Sequence, residues 1–410
     1  MHLSTEQTDA IDLCADTAKR ITCVTGQAGT GKTTILREVY NALSEEFPPN
    51  PYSDALNDQP IILCAPTGRA AKRIEEATGI PAMTIHRMLR YTTPKDDEEV
   101  SLPRHDKFNP MPYNVVLVDE ASMIDESLWR GLVDALQRGA IVRFFGDVNQ
   151  LPPISSKSPF AAAMEKFPTA ILTHNYRSDD GIISVSDKII KGRIPIANDQ
   201  VAIFRVKQQE TMYHVRTLCD EIDFTRMDAQ IITPTQRTKY GCDVINTFIQ
   251  QKYNPEKDKI TTFQKDNEGN VITRSFKRGD KVLWTKNDYN LEIMNGTLGI
   301  VQSFDPEEGS ILVTFDGNRD VLIPPSIEGF NPSTGERFRY DPRTQLMLGY
   351  AITTHKSQGS QFDIVLYVLS RSRAATRQNL YTAVTRAKSK LVVINVAGAL
   401  MHALNTKTEV

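Results

Sequence analysis

The stretch from Ile21 to Thr34 constrains this chain more than any other. Within it, Gly26-Gln27-Ala28-Gly29-Thr30-Gly31-Lys32-Thr33 meets the pattern G-x-x-x-x-G-K-[ST] at every position, and Thr34 follows. The residues before it alternate β-branched and small side chains and read as a buried strand. The residues after it, Ile35 to Leu43, space their apolar side chains as a helix does. A strand, a glycine-rich turn and a helix N-terminus make an anion site, because backbone N–H groups converge there and the helix dipole favours negative charge. Glycine is needed where a Cβ would block close approach or where φ is positive. Gly26 through Thr34 are therefore candidates for holding a nucleotide's phosphates. Lys32 would reach the β- and γ-phosphates, and Thr33 would hold Mg²⁺.

The bulk properties narrow the class. A chain of 410 residues is too long for one small core, and two or three domains are expected. With 40% hydrophobic and 24% charged residues, the composition is that of a soluble globular protein. No run of 18 apolar residues is present, and the first residues lack the charged and apolar regions of a signal peptide. The five cysteines (Cys14, Cys23, Cys64, Cys219, Cys242) are scattered, which suits a reducing cytoplasm and no zinc site. A net charge of −2 gives no global basic field, so any nucleic-acid contact must come from a local groove.

Taken in order, the chain offers further chemistry. Ser4 or Thr5 can cap an apolar helix face that includes Ala10, Ile11 and Leu13, and Gln7 lies in its first turn. A glutamine amide presents a donor and an acceptor side by side, matching the N6/N7 edge of adenine. A second buried strand, Pro60 to Ala65, ends in Pro66-Thr67-Gly68, with Arg69, Lys72 and Arg73 on the helix that follows; hydroxyls and basic groups of this kind suit a phosphate backbone. Thr84, His86, Arg87 and Arg90 cluster next. Tyr91 to Pro112 is irregular and acidic at Asp96-Asp97-Glu98-Glu99, and reads as a small inserted hairpin. A third buried strand, Tyr113 to Val118, ends in Asp119 and Glu120. Asp119 would bind Mg²⁺ through water and Glu120 would orient an attacking water. Ile141 to Gly146 is a fourth strand, leading to Asp147 and Gln150, with Gln150 able to sense a γ-phosphate. These strand ends should share one crevice, where α/β sheets bind ligands.

Beyond Thr173-His174-Asn175-Tyr176-Arg177, in which Arg177 is a γ-phosphate candidate, a helix is expected over Ile182 to Arg193. Ala229 to Thr235 opens a second strand-loop-helix series with Asp243 to Tyr253 as its helix. From Lys277 the texture becomes all-β, with hairpin signals around Asp316-Gly317. Thr285-Lys286-Asn287-Asp288 imitates a guanine-reading motif, but it sits inside this β insert with no D-x-x-G partner. The α/β pattern resumes at Leu346, reaches Thr354-His355-Lys356-Ser357-Gln358-Gly359, and continues through the strand Ile364 to Leu369. A basic helix, Arg377 to Lys388, and a strand, Lys390 to Val396, complete it.

The order of these motifs resembles that of the superfamily-1 helicases, and within them the 5′→3′ branch (superfamily 1B) that includes RecD-like and Dda-like enzymes. The resemblance covers nearly the whole chain. It rests on Gln7, Gly26 to Thr34, Ala65-Pro66-Thr67, Thr84-Ile85-His86, Asp119-Glu120-Ala121-Ser122, Gly146-Asp147 through Gln150-Leu151-Pro152-Pro153, Tyr176-Arg177, Thr354 to Gly359, and Tyr381-Thr382-Ala383-Val384-Thr385-Arg386-Ala387. It implies an α/β fold of two RecA-like P-loop lobes with ATP and Mg²⁺ between them. A β-hairpin insert, the pin, would interrupt the first lobe, and an SH3-like β-barrel the second. The implied bounds are 1–88 and 112–174 for the first lobe, 89–111 for the pin, 175–291 and 346–410 for the second lobe, and 292–345 for the barrel.

By the same resemblance, Gln7 would read adenine. Lys32, Thr33, Asp119 and Glu120 would run hydrolysis, with Gln150 coupling nucleotide state to DNA. Arg177 and Arg386 would be arginine fingers, each meeting charge that develops in the transition state. Pro66, Thr67, Thr84, His86, Thr354, His355 and Lys356 would grip single-stranded DNA and single-strand/duplex junctions without sequence preference. The implied protein is a cytoplasmic monomer acting with replication or recombination proteins and away from membranes. With Gln7 so near the first residue, the large N-terminal domain of longer RecD-like enzymes is not expected, which would argue against a nuclease partner bound through it, and the acidic pin would repel a phosphate backbone. An RNA helicase of the same superfamily, or an ATP-regulated single-strand adaptor without unwinding, are the alternatives.

Overall fold

The computed structural model describes residues 3–52, 55–91, 103–153, 158–175, 181–265, 271–288, 290–316, 319–331 and 336–406. They form two compact units, one reaching Asn175 and the other starting at Gly181.

The first unit opens with α1 (Thr5–Ala15), closed by a capping box: the Ser4 hydroxyl accepts from the Gln7 N–H, and the Gln7 side chain accepts from the Ser4 N–H. Then come β1 (Ile21–Gly26), α2 (Lys32–Glu46), β2 (Ile61–Ala65), α3 (Gly68–Thr78), β3 (Ala82–Thr84) and the short α4 (Ile85–Met88). The unit ends with β4 (Val115–Val118), α5 (Glu126–Asp134), β5 (Ile141–Gly146), α6 (Pro159–Lys166) and β6 (Thr169–Leu172). The strands form one parallel sheet in the order β3-β2-β4-β5-β1-β6. Its strands are apolar along their length because both faces are covered. Ile61, Leu63 and Ala65 pack with residues of α1, α2 and α3, whereas Ile62 and Cys64 pack with Leu128, Phe144 and Phe160.

Residues 92–102, the middle of the expected pin, lie outside the described residues. What is described shows the insert's ends meeting: the N–H groups of Arg104 and His105 donate to the Leu89 carbonyl at 3.1 and 3.2 Å.

The second unit runs α7 (Gly181–Ile190), β7 (Val201–Val206), α8 (Thr211–Glu221), β8 (Ala229–Thr233) and α9 (Cys242–Tyr253). An all-β region follows: β9 (Ile260–Lys265), β10 (Val271–Phe276), β11 (Lys281–Trp284), β12 (Leu298–Phe304), β13 (Ile311–Phe315), β14 (Arg319–Ile323), β15 (Ile327–Asn331), β16 (Glu336–Tyr340) and β17 (Leu346–Leu348). The chain returns to α/β with β18 (Ala351–Thr353), β19 (Phe362–Leu369), α10 (Arg377–Val384), β20 (Ala387–Val396) and α11 (Ala399–Asn405). Parallel strands in the order β18-β8-β19-β20-β7 make this unit's main sheet.

The structure departs from the expected bounds here. The insert is wider than 292–345, because β11 before it and β17 after it pair with each other and extend its sheet. Within the insert the described pairings run β14-β13-β12-β11-β17, all antiparallel. The apolar face of this sheet is covered by Ile260 and Phe276 of the β9–β10 hairpin, packed with the fully buried Trp284. The basic helix is also shorter than expected. It ends at Val384, and the Arg386 carbonyl already accepts from the Phe362 N–H as β19 and β20 begin to pair. Among the described residues no helix is long and apolar enough to cross a membrane.

Candidate functional site

In the first unit the phosphate loop joins β1 to α2. Helices α3, α5 and α6 each begin under a hydroxyl or carboxylate that takes up an N–H of the first turn (Thr67, Asp125 and Ser158). Helix α2 begins at Gly31, which has φ 84° and caps nothing with a side chain. Its first N–H groups are thus left for an anion, the arrangement that makes helix starts phosphate sites. Thr30 closes the loop on itself through its hydroxyl, which donates to the Gln27 carbonyl at 2.9 Å. The Lys32 ammonium lies across the loop, donating to the carbonyls of Gly26 at 2.6 Å and Gln27 at 3.0 Å.

Two side chains brace this loop. Gln7 is buried and donates from Nε2 to the Thr30 carbonyl at 3.2 Å while its Oε1 accepts from Ser4. Asn175 donates from Nδ2 to the Ala28 carbonyl at 2.8 Å. Sequence reasoning gave Gln7 to adenine and passed over Asn175. The available signal was position alone, since Asn175 sits beside the Tyr176-Arg177 motif.

The acids emerge two strands away. β4 and β1 flank β5 on either side, so Asp119, Glu120, Asp147 and the phosphate loop all leave the sheet at its C-terminal edge. Burial raises the Asp119 carboxyl to about 6 and the Glu120 charge adds to the shift, while Lys32 and Arg73 pull it the other way. Arg73, read from the sequence as suited to a phosphate backbone, is therefore also a neighbour of this site. Glu120 adopts φ 52°, left-handed for a non-glycine residue. Strain of this kind persists where surrounding structure enforces it, often at functional sites. Among the described residues, three buried oxygens here have no hydrogen-bond partner: Glu120 Oε2, Ser122 Oγ and Gln150 Oε1. Orphaned acceptors on adjacent strand ends suit water and the ligands of a hard cation. Among the described residues, no cluster of three His, Cys, Asp or Glu could hold a metal alone. A Mg²⁺ ion fits this donor set, using Thr33, Asp119 and phosphate oxygens, because Mg²⁺ characteristically takes few protein ligands.

The strand-gripping candidates divide. Pro66 and Thr67 are partly exposed at the end of β2, although the Thr67 hydroxyl also caps α3 by accepting from the Ala70 N–H at 3.3 Å. His86 is half-buried against Tyr91, ring centroids 4.9 Å apart, and burial lowers its pKa. Thr84 does not fit the expectation: it is 3% exposed, and its hydroxyl caps α4 by accepting from the Arg87 N–H.

In the second unit Thr354 also departs from expectation. It is fully buried and donates to Asn379 Oδ1 at 2.8 Å, the oxygen that Tyr367 also reaches at 2.8 Å. Thr354 thus holds the loop, and Asn379 supports it, a residue the motif reading left out. His355 and Lys356 are half-buried, and burial lowers the pKa of each. Arg386 is 2% exposed, with its guanidinium donating to the carbonyls of Thr382 at 3.0 Å and Ser360 at 3.1 Å. In this arrangement it ties α10 to the loop before β19 and presents no fork to a phosphate. Arg177 lies outside the described residues.

Comparison with known proteins places the chain among helicase-related families. Residues 2–211 match the family described as an AAA domain, residues 245–315 the SH3 domain of ATP-dependent RecD-like DNA helicases, and residues 348–394 a UvrD-like helicase C-terminal domain. The chain is 33% identical to the ATP-dependent RecD2 DNA helicase of Deinococcus radiodurans over 97% of its own length and 50% of that protein's. It is 27% identical to the RecBCD enzyme subunit RecD of Mycolicibacterium smegmatis, over 94% of its length and 70% of that protein's. The chain therefore spans half the length of the Deinococcus relative. Among solved structures, the Pif1 helicase from Bacteroides in complex with ADP-AlF3 and ssDNA shares the fold, with TM-score 0.60, 20% identity, and coverage of 98% of this chain and 94% of that one. Pif1 helicase from Candida albicans matches equally, with TM-score 0.60, 20% identity and coverage of 98% and 97%. With a phosphate loop and acids on one parallel sheet, a second parallel-sheet unit, and a β insert matching the RecD-like SH3 family, the chain belongs to the RecD-like helicases of superfamily 1B.

Proposed function

We propose that this protein is an ATP-driven DNA helicase that moves 5′→3′ along single-stranded DNA and opens duplex at single-strand/duplex junctions. The observation that carries the reading is the meeting, at one sheet edge, of an uncapped α2 N-terminus with the acids of β4 and the orphaned oxygens of Glu120, Ser122 and Gln150. In this reading the N–H groups of Gly29 to Thr34 and the Lys32 ammonium bind the phosphates. Lys32 trades its two loop carbonyls for β- and γ-phosphate oxygens. Thr33 and Asp119 would hold Mg²⁺, which supplies charge neutralisation at the phosphates when bound. Glu120 orients a water on the γ-phosphorus and accepts its proton as the bond to the β-phosphate oxygen breaks. Gln150 hydrogen-bonds the γ-phosphate region and reports its loss. Gln7 keeps one N–H and one lone pair free of its Thr30 and Ser4 bonds, enough for an adenine edge. Arg177 and Arg386 serve as arginine fingers, and Arg386 must first release Thr382 and Ser360. Pro66, Thr67, His86, His355 and Lys356 contact the strand, while Thr84 and Thr354 hold the loops that carry them. The protein works as a monomer in the cytoplasm, with replication or recombination proteins as partners.

The test is ATP-dependent displacement of a short duplex bearing a 5′ or a 3′ single-stranded tail, with Lys32→Ala as control. Unwinding from the 5′ tail alone, lost in the variant, is expected. Unwinding from the 3′ tail alone would overturn the direction. Faster unwinding from an RNA tail would move the track from DNA to RNA. Light scattering should give the monomer mass of 46.0 kDa.

A further inference from the structure

The second unit holds a cavity of about 590 Å³ between the loop after β8, the flank of α9, the β9–β10 hairpin and the residues just after β11. That volume is in the range of small-ligand sites, roughly 300–1,000 Å³. Its charge is one-sided. Arg237, Arg274, Lys286 and Lys356 line it against a single carboxylate, Asp243, which already accepts from the Gln236 amide.

These cations are poorly satisfied. Among the described residues none of the four forms an ion pair. The Arg274 guanidinium is fixed by two bonds from Nη1, to the Thr344 carbonyl at 2.8 Å and the Leu346 carbonyl at 3.0 Å, which leaves its Nε and Nη2 edge unused among the described residues. The Lys356 ammonium has one partner there, the Met347 thioether at 2.8 Å, a weak acceptor for a half-buried charge. The groups also repel one another. Burial lowers the pKa of Arg274 and Lys356; Asp243 opposes both shifts, while Arg237 adds to the first and Arg274 to the second. A fixed guanidinium edge, a half-buried ammonium and two more cations around a void make a seat for an anion. Ile272 and Met347 give the same cavity an apolar wall, so its shape suits an anion with an apolar body.

We propose that this cavity seats one nucleotide of the single strand, its phosphate on Arg274 and Lys356, with Lys286 and Arg237 completing the cationic rim and its sugar and base against Ile272 and Met347. The inference rests on the nucleic-acid reading above and extends it from Lys356 into the β insert. The cationic rim engages phosphate and not a base edge, which suits a track of arbitrary sequence.

Binding of a short fluorescein-labelled oligothymidylate to the full chain, followed by anisotropy across a salt series, tests it. Arg237 and Lys286 are exposed, so Arg237→Gln and Lys286→Gln should fold, and they carry the test beside Arg274→Gln. Each variant should bind several-fold more weakly at low salt, with the slope of log K against log salt shallower by about 0.7 for each phosphate no longer neutralised. Lys286→Arg should restore both. Unchanged affinity and slope in Lys286→Gln and Arg274→Gln, with wild type binding well, would overturn the cavity assignment and leave the helicase reading standing. Failure of the wild type to bind the strand would overturn both. Inorganic pyrophosphate, titrated by calorimetry, separates the remaining source of such an anion. If the variants lose pyrophosphate but keep the oligothymidylate, the cavity is a small-anion site and the proposal fails.

Discussion

Two glycines show how the phosphate loop is built at the level of single residues. Gly31 has φ 84°, and a Cβ there would lie 2.4 Å from Gln7 Nε2. Gly79 has a similar φ of 73° but nothing within 4 Å of its would-be Cβ. A left-handed alanine costs about 1–2 kcal/mol at either position. Only at Gly31 does it also push aside the amide that braces Thr30. Gly31→Ala should therefore weaken ATP binding by about tenfold or more, since ~1.4 kcal/mol corresponds to a factor of ten. Gly79→Ala should lower the melting temperature alone, and fluorescent-nucleotide titration of both variants checks the contrast. The two half-buried imidazoles give a pH signature. Burial lowers the pKa of His86, partly offset by Asp125, and that of His355, from the ordinary value of 6.5. The unfolded chain then binds protons first as pH falls. The stability from keeping these rings neutral is complete above about 6.5 and is lost as pH drops below it, with a slope of at most ~1.4 kcal/mol per pH unit for each ring. Urea unfolding at several pH values should show a shallower acid-side slope in His355→Gln than in wild type.

At the level of elements, the clearest case is a charge inside a buried strand. Arg143, in the middle of β5, is fully buried and among the described residues pairs with no carboxylate; it donates to the carbonyls of Asp16 at 3.0 Å and Lys19 at 2.8 Å, and also to that of Cys14. It thus closes the C-terminal end of α1, whose N-terminal end carries Gln7. Arg143→Met fits the strand but strands those carbonyls, and unsatisfied buried groups cost about 1–3 kcal/mol each. A loss of roughly 2–4 kcal/mol in chemical denaturation is expected, together with weaker ATP binding through Gln7; stability within about 0.5 kcal/mol of wild type would show that α1 docks without it. The sequence displays this charge openly in Ile141-Val142-Arg143-Phe144-Phe145, yet its partners are unreadable because they are backbone atoms more than a hundred positions away. The central strands β1, β2, β4, β5 and β8 were legible as largely apolar runs, since burial on both faces favours apolar side chains even where, as at Arg143 and Gln230, one polar group is buried among them. The edge strands β3, β6 and β7 were not. β3 and β6 are three and four residues long, and β6 and β7 each keep exposed side chains, so neither a run nor an alternation marks them.

For the whole molecule, the order of motifs announces two α/β units, because most of these motifs sit at strand ends that need a parallel sheet behind them. The all-β texture from Lys277 marks where the insert starts, but the closing of its two ends on each other is not written in the sequence. Its sheet depends on β11 pairing with β17, a match between Lys281–Trp284 and Leu346–Leu348 that no local pattern encodes. The burial of Thr84, Thr354 and Arg386 was hidden for a related reason, since a motif fixes which residues are present and not which way each side chain turns. Each unit has its own apolar clusters, and the insert adds one centred on Trp284, fully buried with its ring edge-on to Phe315 at 6.1 Å between centroids. Trp284→Ala should therefore cost about 3–5 kcal/mol. The loss should fall on the second unit, because all residues of that cluster belong to it. The phosphate loop and its acids lie in the first unit. A nucleotide at a hundredfold its Kd should still add about 2.7 kcal/mol there. Calorimetry of Trp284→Ala with and without a non-hydrolysable ATP analogue decides the matter. A lowered transition that ignores nucleotide, beside an unshifted one that responds to it, is the expected result. A single transition lowered as a whole would mean that the two units melt as one, and that the insert's core underwrites the nucleotide site as well.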